Sequence, residues 1–142
     1  MTALARHLLT LAALLLFAVT PTHATPVELQ FPDPLVFTGT NPQNIRVEVE
    51  TGLAISGLTI TLELRRYDAD ARLATPSPPP LSTAQATDDM NGGGGPVFLQ
   101  LTIPATGFYE LTAIATDAEG KTLARKRTLL AALARPSVSN TK

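Results

Sequence analysis

Cysteine and tryptophan are absent from the 142 residues, and the only two histidines, His7 and His23, fall near the start of the chain. Beyond His23, therefore, no Ser–His–Asp triad, Cys–His dyad, zinc site of the usual kind or His-ligated haem can be assembled. Without cysteine there is no lipid-anchored N-terminus and no disulfide. Charge of one sign is also lacking, with eleven Lys and Arg against twelve Asp and Glu. A nucleic-acid binder draws its affinity from a basic surface that neutralises phosphates, so that class is excluded. Aromatic platforms are poorly supplied by two Tyr and five Phe. The one Gly-rich run, "NGGGG" at Asn91 to Gly95, is followed by Pro96 and by no Lys–Ser/Thr or helix start, so it is no phosphate cradle.

Long apolar runs are missing too, apart from "LLTLAALLLFAV" at Leu8 to Val19. That run comes after Arg6 and His7 and precedes Pro21 and "THA" at Thr22 to Ala24. A basic start, an apolar middle and a small-residue end form the pattern of a secretory signal peptide. The run is too short for a spanning helix, which needs about 20 apolar residues. The expectation is a leader over 1–24, cleaved after Ala24, with no membrane insertion afterwards and a secreted or periplasmic product. Removing 24 residues from 142 leaves 118, enough for one domain whose core needs no disulfide.

Alternation of period two dominates the chain beyond the leader. "NIRVEVE" sets Ile45, Val47 and Val49 against Arg46, Glu48 and Glu50. "LTITLELRRY" and "VFLQLTI" repeat the pattern, and "PVELQF" is a short first strand stopped by "PDP", after which "LVFTG" enters a neighbouring sheet. These are strands with one buried and one wet face. "TGFYELTAIATDAEGKTLARKR" reads as two strands joined by "DAEG", with Asp117 bonding the turn backbone and Gly120 supplying positive φ. Arg125, Lys126 and Arg127 put charge on both faces of the last strand, which suits a protected sheet edge, with a basic binding patch as the alternative. Between Tyr67 and Pro96 the alternation fails. "SPPP" and "NGGGG" there predict a long flexible loop over 69–95, with "ARLAT" (Ala71 to Thr75) as a possible brief strand. The sandwich is expected over 25–135, with a frayed tail over 136–142.

The stretch "IPATGFYELTAIATDAEGK", Ile103 to Lys121, resembles the E–F corner and F–G hairpin of immunoglobulin-like domains of bacterial exported and surface proteins. Gly107, Phe108 and Tyr109 match the family's tyrosine corner, in which the hydroxyl bonds back to the preceding loop. Leu111 stands where antibody domains carry their second cysteine. The chain departs from the family in lacking the strand-C tryptophan and the cysteine pair. The resemblance implies an all-β, two-sheet antiparallel immunoglobulin-like sandwich and is nearly silent about function, because this fold carries many roles.

Carboxylates are the remaining chemistry. Glycosidases need two facing across a cleft, whereas Glu48, Glu50, Glu63 and Glu110 are expected on open sheet faces. Asp68, Asp70, Asp88, Asp89, Asp117 and Glu119 are read as loop oxygens, the ligand type Ca²⁺ prefers, but their spacing matches no EF-hand. No metal, cofactor or catalytic residue is therefore assigned. A partner surface is expected on the strand carrying Phe108, Glu110 and Ile114, with Arg125 and Arg127 beside it; cover by "LLAALA" (Leu129 to Ala134) is the competing reading. The expected function is an exported, non-enzymatic binding or structural module contacting an envelope or extracellular protein. The alternatives are a module binding carbohydrate or another envelope polymer, and a carboxylate-based hydrolase.

Overall fold

The structure, a computed structural model, describes residues 27–68 and 78–136. The leader at 1–24, Ala71–Thr75, Asp70 and the tail beyond Pro136 lie outside the described residues. Eight strands form: β1 Val27–Gln30, β2 Val36–Thr38, β3 Gln43–Thr51, β4 Ile55–Arg66, β5 Ser82–Met90, β6 Gly95–Leu101, β7 Gly107–Thr116 and β8 Thr122–Leu133. They make a two-sheet β-sandwich. Sheet A has the order β1-β3-β6, and sheet B the order β2-β8-β7-β4-β5.

Alternation builds the core. Ile45, Val47 and Val49 of β3 face Leu58, Ile60, Leu62 and Leu64 of β4 across the sandwich, joined by Val97, Leu99 and Leu101 of β6 and by Tyr109 and Leu111 of β7. Fully burying each aliphatic side chain is worth about 1.5–3 kcal/mol, so a set this size carries the fold without a cross-link. The hydroxyl of Tyr109 donates to the carbonyl of Ala105 at 2.6 Å, which closes the corner between β6 and β7. At the other end of β7, Asp117 Oδ1 accepts from Lys121 N at 2.7 Å and Gly120 takes φ +81°. The turn forms as its residues dictate.

The structure corrects three expectations. The sandwich is not wholly antiparallel, since β2 pairs with β8 in parallel. Pro32 and Pro34 interrupt the ladder after β1, and the chain crosses to the other sheet while keeping its direction. Second, residues 82–90 of the expected loop form β5, an edge strand paired with β4 from Ile55↔Met90 to Leu64↔Ser82. Its inward residues include Ala84 and Ala86, too small to show as a hydrophobic alternation. Asp88 and Asp89 consequently lie in a strand, not a loop, and Asp89 Oδ1 accepts from Gly57 N at 2.7 Å, across the irregular register of β4.

Third, the glycine run is a defined corner between the sheets. Gly93 N donates to Thr51 O at 2.9 Å, and Thr51 Oγ1 donates to Asn91 O at 3.2 Å. Gly94, at φ +78°, packs so closely on β3 that a Cβ there would collide with the Val49 carbonyl oxygen. Gly92 meets nothing nearby.

Two substitutions test these joints. Tyr109→Phe should cost about 1–2 kcal/mol, read as a lower urea midpoint at unchanged slope. Gly94→Ala should destabilise by more than about 1 kcal/mol, while Gly92→Ala stays within about 0.5 kcal/mol in the same assay.

Candidate functional site

Pairing of β7 on both sides determines which side chains meet on the outer face of sheet B. Phe108 stands opposite Ala131 of β8, which in turn stands opposite Val36 of β2. On the other side Tyr67 N donates to Phe108 O at 3.1 Å, which continues the row onto the end of β4. The next row places Leu129, Glu110 and Arg65 side by side, with Leu81 continuing it ahead of β5. Beyond these come Arg127 with Thr112 and Glu63, then Arg125 with Ile114 and Thr61.

One end of this face is therefore apolar. Val36, Tyr67, Leu81, Phe108, Leu129 and Leu133 make up six of the eight exposed large hydrophobic residues among those described, and Phe108 is 65% exposed. Scattered surface apolar residues need no explanation, but a cluster on one sheet end does. The segment "LLAALA" does not cover Phe108. Its first five residues continue β8 as part of the sheet, so Leu129 and Leu133 enlarge the patch. Beside it, Arg66, Tyr67, Thr106, Gly107, Phe108 and Tyr109 line a hollow of about 250 Å³. Sites for small molecules run from about 300 to 1,000 Å³, so this one suits a single inserted side chain better.

The expected partner surface needs revision at several positions. Glu110 is only 9% exposed and Thr112 4%, although alternation predicts both as polar members of a wet face. They lie on a central strand between longer side chains, Leu129 and Arg65 for Glu110, Arg127 and Glu63 for Thr112. Glu110 Oε1 lies 3.3 Å from Arg127 Nε. Ile114 is half-buried for the same reason, whereas Arg125 and Arg127 are exposed. The basic stretch of β8 borders no further strand, because β2 reaches only Ala131 to Leu133. Lys126 has the inward parity of Leu130 and Ala132 yet is exposed, an edge charge that blocks further pairing. The sequence reading missed Val36, Tyr67, Leu81, Leu129 and Leu133. For Leu129 and Leu133 a signal existed, their shared parity with Arg125 and Arg127.

The four sheet carboxylates named above do not face one another across a cleft. By strand parity Glu48 and Glu50 face outward from sheet A, and Glu63 and Glu110 from sheet B. Glu63 Oε2 accepts from Arg65 Nη1 at 2.5 Å, and Arg65 Nε donates to Pro78 O at 3.0 Å. Among the described residues no group of three or more Asp, Glu, His or Cys is placed to hold a metal ion. No helix among them is long and apolar enough to cross a membrane.

No family model matches this sequence, and no curated protein matches it. Among solved structures, the chain is similar to the CARDB domain of the PF1109 protein of Pyrococcus furiosus, crystallised with di-metal ions. Identity is 12% and the TM-score 0.51, over 80% of this chain and 99% of that one. It is also similar to part of a family 76 glycoside hydrolase from a bovine Bacteroides thetaiotaomicron strain, at 19% identity and a TM-score of 0.41, over 77% of this chain and 20% of the hydrolase. At such identity the first likeness bears on the fold alone, and it agrees with a two-sheet β-sandwich.

Exposure separates wall from core on β7. Phe108→Ser should shift stability by less than about 0.5 kcal/mol, whereas Leu111→Ala, fully buried on the same strand, should cost about 2–5 kcal/mol. Thermal melts of the two variants check both values.

Proposed function

We propose that this chain is an exported, non-enzymatic binding module of immunoglobulin-like type, which docks another envelope or extracellular protein on the outer face of sheet B. The observation that carries this reading is the clustering of Phe108, Val36, Tyr67 and Leu129 at one end of that face, bordered by the cations of β8. An exposed aromatic beside a side-chain-sized hollow, with arginines at its border, has the make-up of a binding hot spot. The Tyr109–Ala105 bond and the strand order of the two sheets support the immunoglobulin-like assignment. The apolar leader pattern of Leu8 to Val19 supports export.

A photo-crosslinking residue at position 108 in living cells should give one discrete adduct, and the same residue at position 85, on the far edge of the sheet, should give none. Phe108→Ser should weaken binding to the partner so identified by about 2 kcal/mol or more, roughly thirtyfold, without moving the melting temperature. Equal labelling at both positions would reject the face as the docking surface. N-terminal sequencing of the exported product should begin at Thr25; a product retaining Leu8 to Val19 would reject the cleavage.

A further inference from the structure

We infer that the partner of the sheet B face is a second copy of this chain, stacked so that sheet B of one molecule lies on sheet A of the next. This rests on the reading of the sheet B face as a docking surface and names its occupant. The outer face of sheet A carries the complementary features. Phe98 is 57% exposed there and stands beside Arg46 of β3 in register. Farther along the same face Glu28 of β1 pairs in register with Glu50 of β3, and the Gln30 amide reaches a carboxylate oxygen of each at 3.5 Å. Glu48 stands between, ion-paired with Arg46. Three carboxylates against one guanidinium leave this face acidic.

The acidic end is also concave. Glu28, Glu50, Thr51, Gly52 and Gly93 line a hollow of about 440 Å³, roomy enough for a long cationic side chain. Sheet B presents such side chains. Arg125 points outward from β8, Lys126, of the opposite parity, lies exposed at the free edge next to it, and neither has a carboxylate partner among the described residues.

The spacing of the two patterns agrees. From Arg46, beside Phe98, to Glu50 is four residues along β3. From Leu129, in the apolar patch, to Arg125 is four residues along β8. At a rise of about 3.3 Å per residue both separations come to roughly 13 Å. Stacking that sets Phe98 against the Phe108–Leu129 patch therefore brings Arg125 to the Glu28–Glu50 hollow. A pairing of two sheet B faces would leave the cationic row without an acidic counterpart. Because the complementary faces lie on opposite sides of one sandwich, the contact is heterologous and extends from copy to copy instead of closing at two.

Sedimentation of the purified mature chain over a range of concentrations tests this. The wild type should show a weight-average mass that climbs beyond that of a dimer at low salt and falls as salt is raised. The variant Glu28→Lys/Glu50→Lys should be monomeric, as should Arg125→Glu/Lys126→Glu. Mixed in equal amounts, these two variants should associate again, since each supplies the charge the other has inverted. All four substituted positions are exposed, so melting curves should match the wild type. A wild type that stays monomeric, or a mixture that fails to recover, overturns the proposal. So does association lost in Phe108→Ser but kept in Glu28→Lys/Glu50→Lys. In that last case the sheet B face still docks a protein, but its partner is not sheet A of a second copy. Cross-linking from position 108 to an unrelated chain would likewise keep the docking surface and discard the stacking.

Discussion

The outer face of sheet B depends on the pairing of β7 along both of its edges. The strand is held to β4 from Tyr109 to Thr116 and to β8 from Gly107 to Thr116. Because side chains alternate with a period of two, burying Tyr109, Leu111, Ala113 and Ala115 leaves Phe108, Glu110, Thr112 and Ile114 no choice but the outer face. A slip of one residue would put Phe108 and Glu110 into the core. The free energy that prevents the slip comes from the interior, yet its product is the arrangement of the exterior.

Such dependence explains how much of the fold is legible in the sequence. Strands with large apolar residues on alternate positions, such as β3, β4, β6 and β7, announce themselves, and Tyr109 and Asp117 mark the two ends of β7 by their local chemistry. β5 does not, because Ala84 and Ala86 fill its inward positions and its remaining residues are those of a loop. The glycine run gives no sign of order, since what orders it is Thr51, some 40 residues earlier in the chain. The outer face is readable for single residues only. Strand alternation identifies Phe108 as outward, but which side chains stand beside it is a matter of register between strands, and no local pattern carries that. Glu110 shows the same limit. Its exposure is set by the lengths of Leu129 and Arg65 on the flanking strands, not by its own face.

The polar groups of the face qualify how it can bind. Arg127 is engaged with Glu110, and Arg65 with Glu63 and the Pro78 carbonyl. These partly buried pairs hold long side chains in place on the face. A partner docking there as proposed would meet an already ordered surface, which would reduce the entropic cost of fixing arginines on contact. Affinity would come from the apolar end, while charge would govern orientation and salt dependence.

The parallel pairing of β2 with β8 has a mechanical consequence. Val36, Phe37 and Thr38 lie beside Ala131, Ala132 and Leu133, and the ladder is extended by Ala131 N to Leu35 O at 2.9 Å and Gly39 N to Leu133 O at 2.8 Å. One of these strands lies near the beginning of the described chain and the other near its end. Tension between the two ends pulls the strands in opposite senses along their axes, so their bonds share the load and must break together. In the antiparallel β7–β8 hairpin, the same tension applied across the open end would part the bonds one after another. The small strand that crosses to sheet B after Pro34 thus acts as a clasp against stretching, loaded once tension has passed through β1.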